Sequence, residues 1–258
     1  MSILPPGTLL QLMYLRERLQ LRKPGRFIEI GPGSGEITNL LLELGWKGES
    51  YDLEGYTVTA LKSRFANQIT EKSYIPINAD FLLAAIPEGK ADLVISSMVM
   101  EHLEDNIQND FLSKAANCLK HDGVIINLVP ASPAHWGIED DIAGHYRRYT
   151  KENISELAST IDWKLVHISG LTFPVSNILL PVSNFLVNRS ERSKLTLSAL
   201  ERTKQSGRRN VKFKTHLPYF FKIMINKYTL FPLHLMQKFF GKSKRSLVIY
   251  FELQRDFI

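Results

Sequence analysis

The chain has 258 residues, of which 44% are hydrophobic, so it can bury the core of one large domain or of one domain with an addition. A single cysteine excludes a disulfide framework, no uninterrupted apolar run is long enough to cross a membrane, and the N-terminus lacks a signal-peptide pattern, so we expect a cytoplasmic protein. The net charge of +6 depends on residues 189–245, which hold 15 Lys and Arg against 2 Asp and Glu, and we expect any anionic partner to bind there.

The first predicted elements are a helix and a buried strand. Residues 1–25 are expected to form an N-terminal helix that covers either a bound ligand or the sheet. The apolar run Phe27–Ile30 predicts a buried parallel strand, and Gly31, Gly33 and Gly35 follow it before a helical pattern begins. Because glycine has no Cβ, such a turn lets the backbone approach a ligand closely, and the layout is typical of a nucleotide or nucleoside site.

The glycine pattern distinguishes two classes of nucleotide site. A dinucleotide fingerprint needs Gly or Ala where this chain has Glu36, and a carboxylate there would occupy the place of a pyrophosphate. The pattern Glu29-x-Gly31-x-Gly33-x-Gly35 instead resembles motif I of the class I S-adenosylmethionine-dependent methyltransferases. The resemblance implies that S-adenosylmethionine is the cofactor and that Glu29 helps to hold its ammonium group. The other residues of the motif that it places at the cofactor are Gly31, Pro32, Gly33 and Gly35.

An acidic side chain is predicted at the end of the second strand, residues 49–53. Asp52 lies 21 positions after Gly31, and a carboxylate at about this spacing can accept both hydroxyls of a ribose. Glu54 is the alternative acid, but the family's usual spacing favours Asp52, with Leu53 beside it at the cofactor. The competing interpretation is that the acid only caps the next helix.

The third and fourth strands lead to further cofactor contacts. Asp80 and Phe81 follow the third strand. The resemblance implies that Asp80 accepts a hydrogen bond from the adenine amine and that the Phe81 backbone serves a ring nitrogen. The fourth strand, 91–97, is apolar enough to be central. The resemblance implies that Ser97 and Met98, at its end, lie at the cofactor.

Residues 98–105 follow the fourth strand with the sequence Met-Val-Met-Glu-His-Leu-Glu-Asp. This stretch closely resembles one in small-molecule methyltransferases of the ubiquinone-biosynthesis O-methyltransferase kind. The resemblance makes His102 a candidate base for the acceptor proton. The alternative is that His102 only orients its loop through a hydrogen bond.

A long polar loop, 130–149, leaves the carboxyl end of the fifth strand, where ligands bind in open α/β sheets. Residues 144–149, Gly-His-Tyr-Arg-Arg-Tyr, resemble a block of many bacterial methyltransferases, including ones found with polysaccharide and lipid biosynthesis. His145 is the second candidate base. The candidate acceptor-binding residues are Tyr146, Arg147 and Arg148, because a guanidinium can bind a carboxylate or phosphate through two hydrogen bonds.

The same loop allows a second interpretation, in which the two arginines bind Glu139, Asp140 or Asp141 and only fix the loop. These acids together with His145 match no metal-ligand motif, so no metal site is predicted.

Five successive strand–helix units predict an α/β fold with a parallel sheet and helices on both faces. The resemblance implies a Rossmann-like seven-stranded methyltransferase sheet, in which the sixth strand, 163–169, pairs with the closing strand at the sheet edge, with a helical insert before the last strand. The predicted core is 26–169, the insert is 170–245 and the closing strand is 246–258. The insert is basic and aromatic, particularly at 217–231. Its three interpretations are a contact with an anionic membrane or lipid-linked acceptor, a helical cap over the acceptor pocket, and an RNA-binding surface.

The function predicted from the sequence is methyl transfer from S-adenosylmethionine to a small-molecule or glycan-type acceptor, with oxygen favoured over nitrogen. One alternative is a non-catalytic S-adenosylmethionine-binding module that docks a membrane or partner. The other is an RNA methyltransferase, which is disfavoured because the signature of amino-group nucleic-acid methylation is absent after the fourth strand, where residues 96–99 are Ser-Ser-Met-Val. The sequence predicts no oligomeric state.

Overall fold

The computed structural model describes residues 4–160, 163–198, 201–202 and 225–255. Seven strands form one sheet in the order β3-β2-β1-β4-β5-β7-β6, which confirms the predicted fold class. The strands are β1 (Arg26–Ile30), β2 (Lys47–Asp52), β3 (Tyr74–Asn78), β4 (Ala91–Ser97), β5 (Leu119–Pro130), β6 (Trp163–Leu171) and β7 (Val248–Arg255).

Helices connect the strands. In the described part of the chain the α-helices are α1 (Pro6–Gln20), α2 (Glu36–Glu43), α3 (Gly55–Arg64), α4 (Ala66–Thr70), α5 (Asp105–Cys118), α6 (Ile138–Ala143), α7 (Lys151–Thr160), α8 (Val175–Glu191) and α9 (Phe231–Phe239). Short 3-10 helices lie at Met100–His102, Pro133–His135 and Arg192–Thr196. None of the helices within the described residues has the length and apolar character needed to span a membrane.

The centre of the sheet is parallel and buried. β1 pairs in parallel with β2 and β4, β2 with β3, and β4 with β5. The near-continuous apolar sequences of β4 and of β5 from Val124 onward follow from this position, because helices pack on both faces of a parallel sheet. Phe27, Leu93 and Ile126 are among the buried core residues.

Contacts divide the chain into two compact units. The sheet unit comprises Gln20–Val129, Lys151–Ile168 and Tyr250–Ile258. The helical unit comprises Met1–Leu19, Pro130–Thr150 and Ser169–Ile249. The predicted boundaries at 25, 169 and 245 remain a prediction.

One predicted turn is absent. The sequence His121-Asp122-Gly123 is typical of a turn and predicts that the fifth strand begins at Val124, but β5 runs through it from Leu119. The pairing with β4 changes register between Ala91↔Leu119 and Leu93↔Val124, so the extra residues form an irregularity within the strand. The apolar spacing of residues 111–119 predicts a helix from Asp110, but α5 begins earlier, at Asp105.

The insert is described only in part. Its first described helix, α8, includes Pro181. Most of the basic, aromatic stretch 217–231 lies outside the described residues, as does the sequence 204–209, whose Ser-Gly pair is typical of a turn.

Candidate active site

The carboxyl ends of four neighbouring strands bring the predicted cofactor residues to one edge of the sheet. In the register of the sheet, Asp52 pairs with Asn78, and Ile30 pairs with both Tyr51 and Ser96. The residues after β3, β2, β1 and β4 therefore lie in that order along the edge, which is where open α/β sheets bind ligands. All of these residues belong to the sheet unit.

The glycine loop between β1 and α2 has a left-handed backbone that favours glycine. Gly31, Gly33 and Gly35 have φ angles of +67°, +52° and +83°. A Cβ on Gly35 would lie 2.7 Å from side-chain carbons of Leu61 and Phe65, so this glycine is needed for helix packing. A Cβ on Gly33 would meet no atom within 4 Å, so the loop is open at this point and a ligand can approach the backbone there.

Glu29, near the end of β1, is a buried acid whose side chain is paired with no cation in the described part of the chain. Its Oε2 accepts a 2.5 Å hydrogen bond from the Thr38 hydroxyl, and the residue is 2% exposed. Burial raises the pKa of Glu29 to about 7, and the charge of Asp52 adds to the rise, while the Thr38 hydrogen bonds oppose it. A cationic ligand group beside this carboxyl would favour its charged form.

Asp52 is fixed at the end of β2. Its Oδ1 accepts the Glu54 backbone N–H at 2.8 Å, and its carbonyl accepts the Asn78 side-chain amide at 3.0 Å and the Ala79 N–H at 3.1 Å. The turn thus sets the orientation of the carboxylate before any ligand binds. Leu53, the neighbouring predicted contact, is exposed.

Asp80 and Phe81 differ in their surroundings. Asp80 Oδ1 accepts the Leu82 N–H at 2.8 Å and so closes a turn after β3. Phe81 is buried, with its ring packed edge-on against Tyr51 and Phe111 at centroid distances of 6.0 and 5.5 Å. Only the backbone of Phe81 therefore suits the predicted adenine contact.

The segment after β4 is strained at one residue. Met98 has a φ of +55°, which is uncommon outside glycine, and its N–H is held by the Leu128 carbonyl at 2.8 Å. Such strain persists where surrounding contacts over-determine the backbone, and it is concentrated at ligand sites. Ser97 immediately precedes this point, and His102 ends the short helix Met100–His102, with its N–H bonded to the Val99 carbonyl at 3.0 Å.

The loop 130–149 is organised inside the helical unit around Asp140, which is fully buried. Its carboxylate accepts hydrogen bonds from the Gly137 N–H, His145 Nδ1 and Arg148 Nε at 2.9, 2.8 and 2.9 Å. Burial acts to raise the pKa of Asp140, but the hydrogen bonds from His145 and Arg148 hold it below its usual value. Arg148 also donates to the Ala131 carbonyl at 3.1 Å.

These contacts bear on the two interpretations of the loop. Arg148 is engaged by Asp140 within the loop, as the loop-fixing interpretation expects, and His145 has its ring oriented by the same carboxylate. Tyr146 is about half exposed and Arg147 is partly buried. Their predicted roles with the acceptor remain predictions.

A further group in the helical unit was missed by sequence analysis. His135 Nδ1 lies 2.8 Å from the Ser132 hydroxyl, and its Nε2 lies 3.3 Å from the Asn177 amide nitrogen. Ser132 has a φ of +61°. Burial lowers the pKa of His135, and the charges of Arg148 and Arg245 contribute to this. The Ser-Pro-Ala-His spacing offered the only signal, and it is too common to single out.

The cofactor residues fit a nucleoside ligand with a cationic group. The buried Glu29 lacks a cationic partner among described residues, the loop is open at Gly33, and the Asp52 carboxylate is fixed at the neighbouring strand end. A pyrophosphate fits less well, because Glu36 lies in the first turn of α2, where its carboxylate pairs with Arg64 at 2.7 Å.

Solved structures share this fold. A 1,6-didemethyltoxoflavin-N1-methyltransferase of Burkholderia thailandensis aligns with 65% of this chain and 73% of its own at 18% identity and a TM-score of 0.52. A candidate sarcosine dimethylglycine methyltransferase of Galdieria sulphuraria aligns with 95% and 85% at 11% identity and a TM-score of 0.61. A phosphoethanolamine N-methyltransferase of Haemonchus contortus aligns with 96% and 52% at 14% identity and a TM-score of 0.59. At these identities the similarity establishes the fold alone.

Sequence comparison gives a family. No curated protein sequence matches the chain significantly. A family model described as a methyltransferase domain matches residues 8–168, which is more than half of the chain and includes every predicted cofactor residue. The chain therefore belongs to the methyltransferase domain family, in agreement with the resemblance that its glycine loop indicated.

Proposed function

We propose that this chain is an S-adenosylmethionine-dependent methyltransferase that acts on a small-molecule or glycan-type acceptor, lipid-linked acceptors included. The observation that carries the proposal is the buried Glu29 carboxyl, which has a raised pKa beside the open glycine loop. An apolar or purely anionic ligand would leave this acid without a cationic partner. The amino group of S-adenosylmethionine or of its demethylated product would supply one.

Four strand ends would hold the cofactor. Glu29 would bind the ammonium group and Asp52 the two ribose hydroxyls, since a carboxylate can accept two hydrogen bonds side by side. Asp80, with the backbone of Phe81, would bind the adenine, and Met98 would pack against the bound cofactor. When bound, S-adenosylmethionine supplies an electrophilic methyl group on a sulfonium.

The contribution of the protein to the transfer is mainly alignment. Holding the acceptor in line with the methyl group can remove a large part of the barrier. A base would take the acceptor proton as the new bond forms. His102 and His145 are the proposed bases, and the hydrogen bond between Asp140 and Nδ1 supports His145, because it fixes the orientation of the ring and leaves Nε2 for the acceptor proton.

Oxygen is the proposed methyl acceptor. The preference comes from the likeness of residues 98–105 to the O-methyltransferase stretch. Two of the similar structures are named as N-methyltransferases, so the fold by itself accommodates either atom.

The first test is cofactor binding. Calorimetry with S-adenosylhomocysteine is expected to detect binding to the wild type, and Asp52→Ala is expected to weaken it about tenfold or more, since the charged hydrogen bonds to the ribose hydroxyls would be lost. Glu71→Ala, an exposed acid on the same unit, is the matched control and should bind normally. If the wild type takes up neither S-adenosylmethionine nor the product, the proposal fails.

The second test separates an enzyme from a binding module. Methyl transfer from labelled S-adenosylmethionine is measured over a panel of hydroxyl and amine acceptors with wild type and with His145→Ala and His102→Ala. Loss of turnover with unchanged cofactor affinity identifies the base. Binding without turnover over a broad panel supports the non-catalytic module, and tight RNA binding with a steep salt dependence supports the RNA methyltransferase.

A further inference from the structure

Helix α9 of the helical unit has its polar side buried and its apolar side exposed. His234 and Gln237 are each 1% exposed, whereas Phe231, Leu235 and Phe239 are about 51%, 49% and 83% exposed. The exposed residues are spaced at i, i+4 and i+8, so they form one face of the helix. A helix on the surface of a water-soluble domain normally has the opposite arrangement.

A buried hydrogen-bond network holds the helix in this orientation. The Gln237 amide donates to the Leu10 carbonyl and lies 2.8 Å from His234 Nδ1, and its Oε1 accepts the Thr172 N–H at 3.0 Å. His234 Nε2 lies 2.8 Å from a carboxylate oxygen of Glu17 on α1. Rotating α9 to bury its apolar face would break these contacts and leave buried polar groups unsatisfied. The buried hydrogen bonds therefore fix the orientation in which the apolar face of α9 is exposed.

Cationic residues flank α9 in the sequence. Residues 225–251 include no Asp or Glu but five cations. Lys238 is paired with Glu17 at 2.7 Å. The other four cations, which precede or follow the helix, are Lys227, Lys242, Lys244 and Arg245.

A second apolar stripe lies on α8 of the same unit. Ile178, Val182 and Phe185 are exposed at i, i+4 and i+7. The first turn of α8 is joined to the basic segment, because the Asn177 amide donates to the Arg245 carbonyl at 2.8 Å. Phe173, just before α8, packs edge-on against Phe240 at 5.3 Å.

We propose that the apolar face of α9, with its flanking cations, docks on an anionic lipid bilayer surface. A bilayer offers both hydrocarbon for the exposed side chains and anionic headgroups for the lysines and arginine. Nucleic acid would satisfy the charge but would leave Leu235 and Phe239 in water. A symmetric contact between two copies would bring like charges together. The proposal concerns a surface and does not depend on the proposed reaction.

The test is vesicle binding by the full chain. Co-sedimentation is measured with vesicles of phosphatidylcholine alone and with vesicles that also contain phosphatidylserine. The wild type is expected to bind the phosphatidylserine vesicles more tightly, and added salt is expected to weaken this binding. Leu235→Ser combined with Phe239→Ser is expected to lower the partition coefficient about tenfold or more, because both side chains lose their apolar contact with the bilayer.

Matched variants separate apolar contact from charge. Leu21→Ser removes an apolar side chain that is 73% exposed on the sheet unit, and it is expected to bind vesicles as the wild type does. Lys242→Glu with Arg245→Glu should weaken binding to phosphatidylserine vesicles selectively, whereas Lys62→Glu on the sheet unit should not. Unchanged S-adenosylhomocysteine affinity and circular dichroism would show that each variant is folded.

Three results would overturn the proposal. The first is a wild type that binds neither kind of vesicle, and the second is a Leu235→Ser, Phe239→Ser variant that binds as tightly as the wild type. The third is a wild type that self-associates in sedimentation velocity and becomes monomeric in that variant without any vesicle binding. That result would assign the face to contact between copies.

Discussion

Glu29 shows how burial of one carboxyl gives a testable dependence on pH. Because burial raises its pKa to about 7, a large fraction of the free protein holds Glu29 protonated near neutral pH. A cationic cofactor binds the charged form, so binding should release a proton below this pH. The affinity for S-adenosylhomocysteine is therefore expected to rise by up to about tenfold per pH unit below 7 and to level off above it.

Glu29→Gln supplies the control for this prediction. The variant retains the size of the side chain but cannot ionise, so it should bind weakly and with little change between pH 5.5 and 8, roughly the range that spans the Glu29 transition. Calorimetry in buffers of different ionisation enthalpy measures the released proton. A wild-type affinity that is flat over this range would contradict the assignment of Glu29 to the ammonium group.

Asp140 shows the opposite case, a buried acid with its partners in place. Asp140→Asn would leave the Arg148 guanidinium, whose side chain is only 8% exposed, without its carboxylate, and breaking such a buried pair costs about 3 kcal/mol. We expect a loss of that order in the free energy of unfolding, measured by urea denaturation. Asp110→Asn, at an exposed acid, is the control and should change it by no more than about 0.5 kcal/mol.

The pH dependence of this contribution follows from the lowered pKa of Asp140. A carboxyl whose pKa is lower in the folded state than in the unfolded state stabilises the fold above its ordinary pKa, about 3.9, and this stabilisation is lost as the pH falls through the lower value. The wild type should therefore lose stability more steeply than Asp140→Asn on acidification below about pH 4. If the wild type and Asp140→Asn lose stability equally steeply on acidification, the charged Asp140 carboxylate does not stabilise the fold.

Among the structural elements, the turn from β1 to α2 allows two effects of a substitution to be measured separately: the loss of stability from backbone strain and the loss of ligand affinity. Gly33 and Gly89 have similar φ angles, +52° and +62°, and a Cβ at either would meet no atom within 4 Å. Substitution of either glycine by alanine should lower the free energy of unfolding by about 1 kcal/mol, because a residue with a Cβ is disfavoured in left-handed backbone. Only Gly33→Ala should also weaken S-adenosylhomocysteine binding, about tenfold or more, because only Gly33 is at the proposed cofactor loop.

If Gly33→Ala and Gly89→Ala bind S-adenosylhomocysteine with equal affinity, the glycine loop does not contact the cofactor. Calorimetry measures the affinities, and thermal unfolding of both variants without ligand checks that the strain is matched. Gly35→Ala is a poorer probe, because its Cβ would also collide with Leu61 and Phe65.

The same elements show what the sequence could and could not predict. The strand, glycine turn and helix at 27–44 were predictable because their signals are local. The continuation of β5 through His121-Asp122-Gly123 was not, because it depends on pairing with β4, which lies some 30 residues earlier in the chain. The orientation of α9 was also not predictable from the sequence, because it is set by contacts with Glu17 and Thr172, which are distant in the chain.

The loop 130–149 was predictable only as a set of alternatives. Three consecutive acids, Glu139, Asp140 and Asp141, were equivalent partners for the arginines in the sequence. The helix α6 turns Asp140 inward, while Asp141 accepts the Trp136 indole N–H at 2.9 Å and Glu139 accepts the Ser183 hydroxyl. Side-chain direction on one helical turn thus decided a question that spacing alone left open.

On the scale of the whole molecule, the order of the strands in the sheet and the location of the basic segment could be predicted from the sequence. The strand order β3-β2-β1-β4-β5-β7-β6 places the predicted sixth and last strands side by side, as the family resemblance implied. All predicted cofactor residues fall in the sheet unit, and the predicted acceptor residues of the loop fall in the helical unit. The basic residues of 189–245 that the structure describes belong to the helical unit as well.

The single cysteine makes this protein convenient for site-directed labelling. Cys118 is buried at the end of α5, and burial raises the pKa of its thiol, so little reactive thiolate is present near neutral pH. A second thiol introduced by Phe239→Cys would lie on the surface and react selectively with a maleimide dye, without removal of the native cysteine. An environment-sensitive fluorophore attached there would report directly whether this position enters hydrocarbon when vesicles are added.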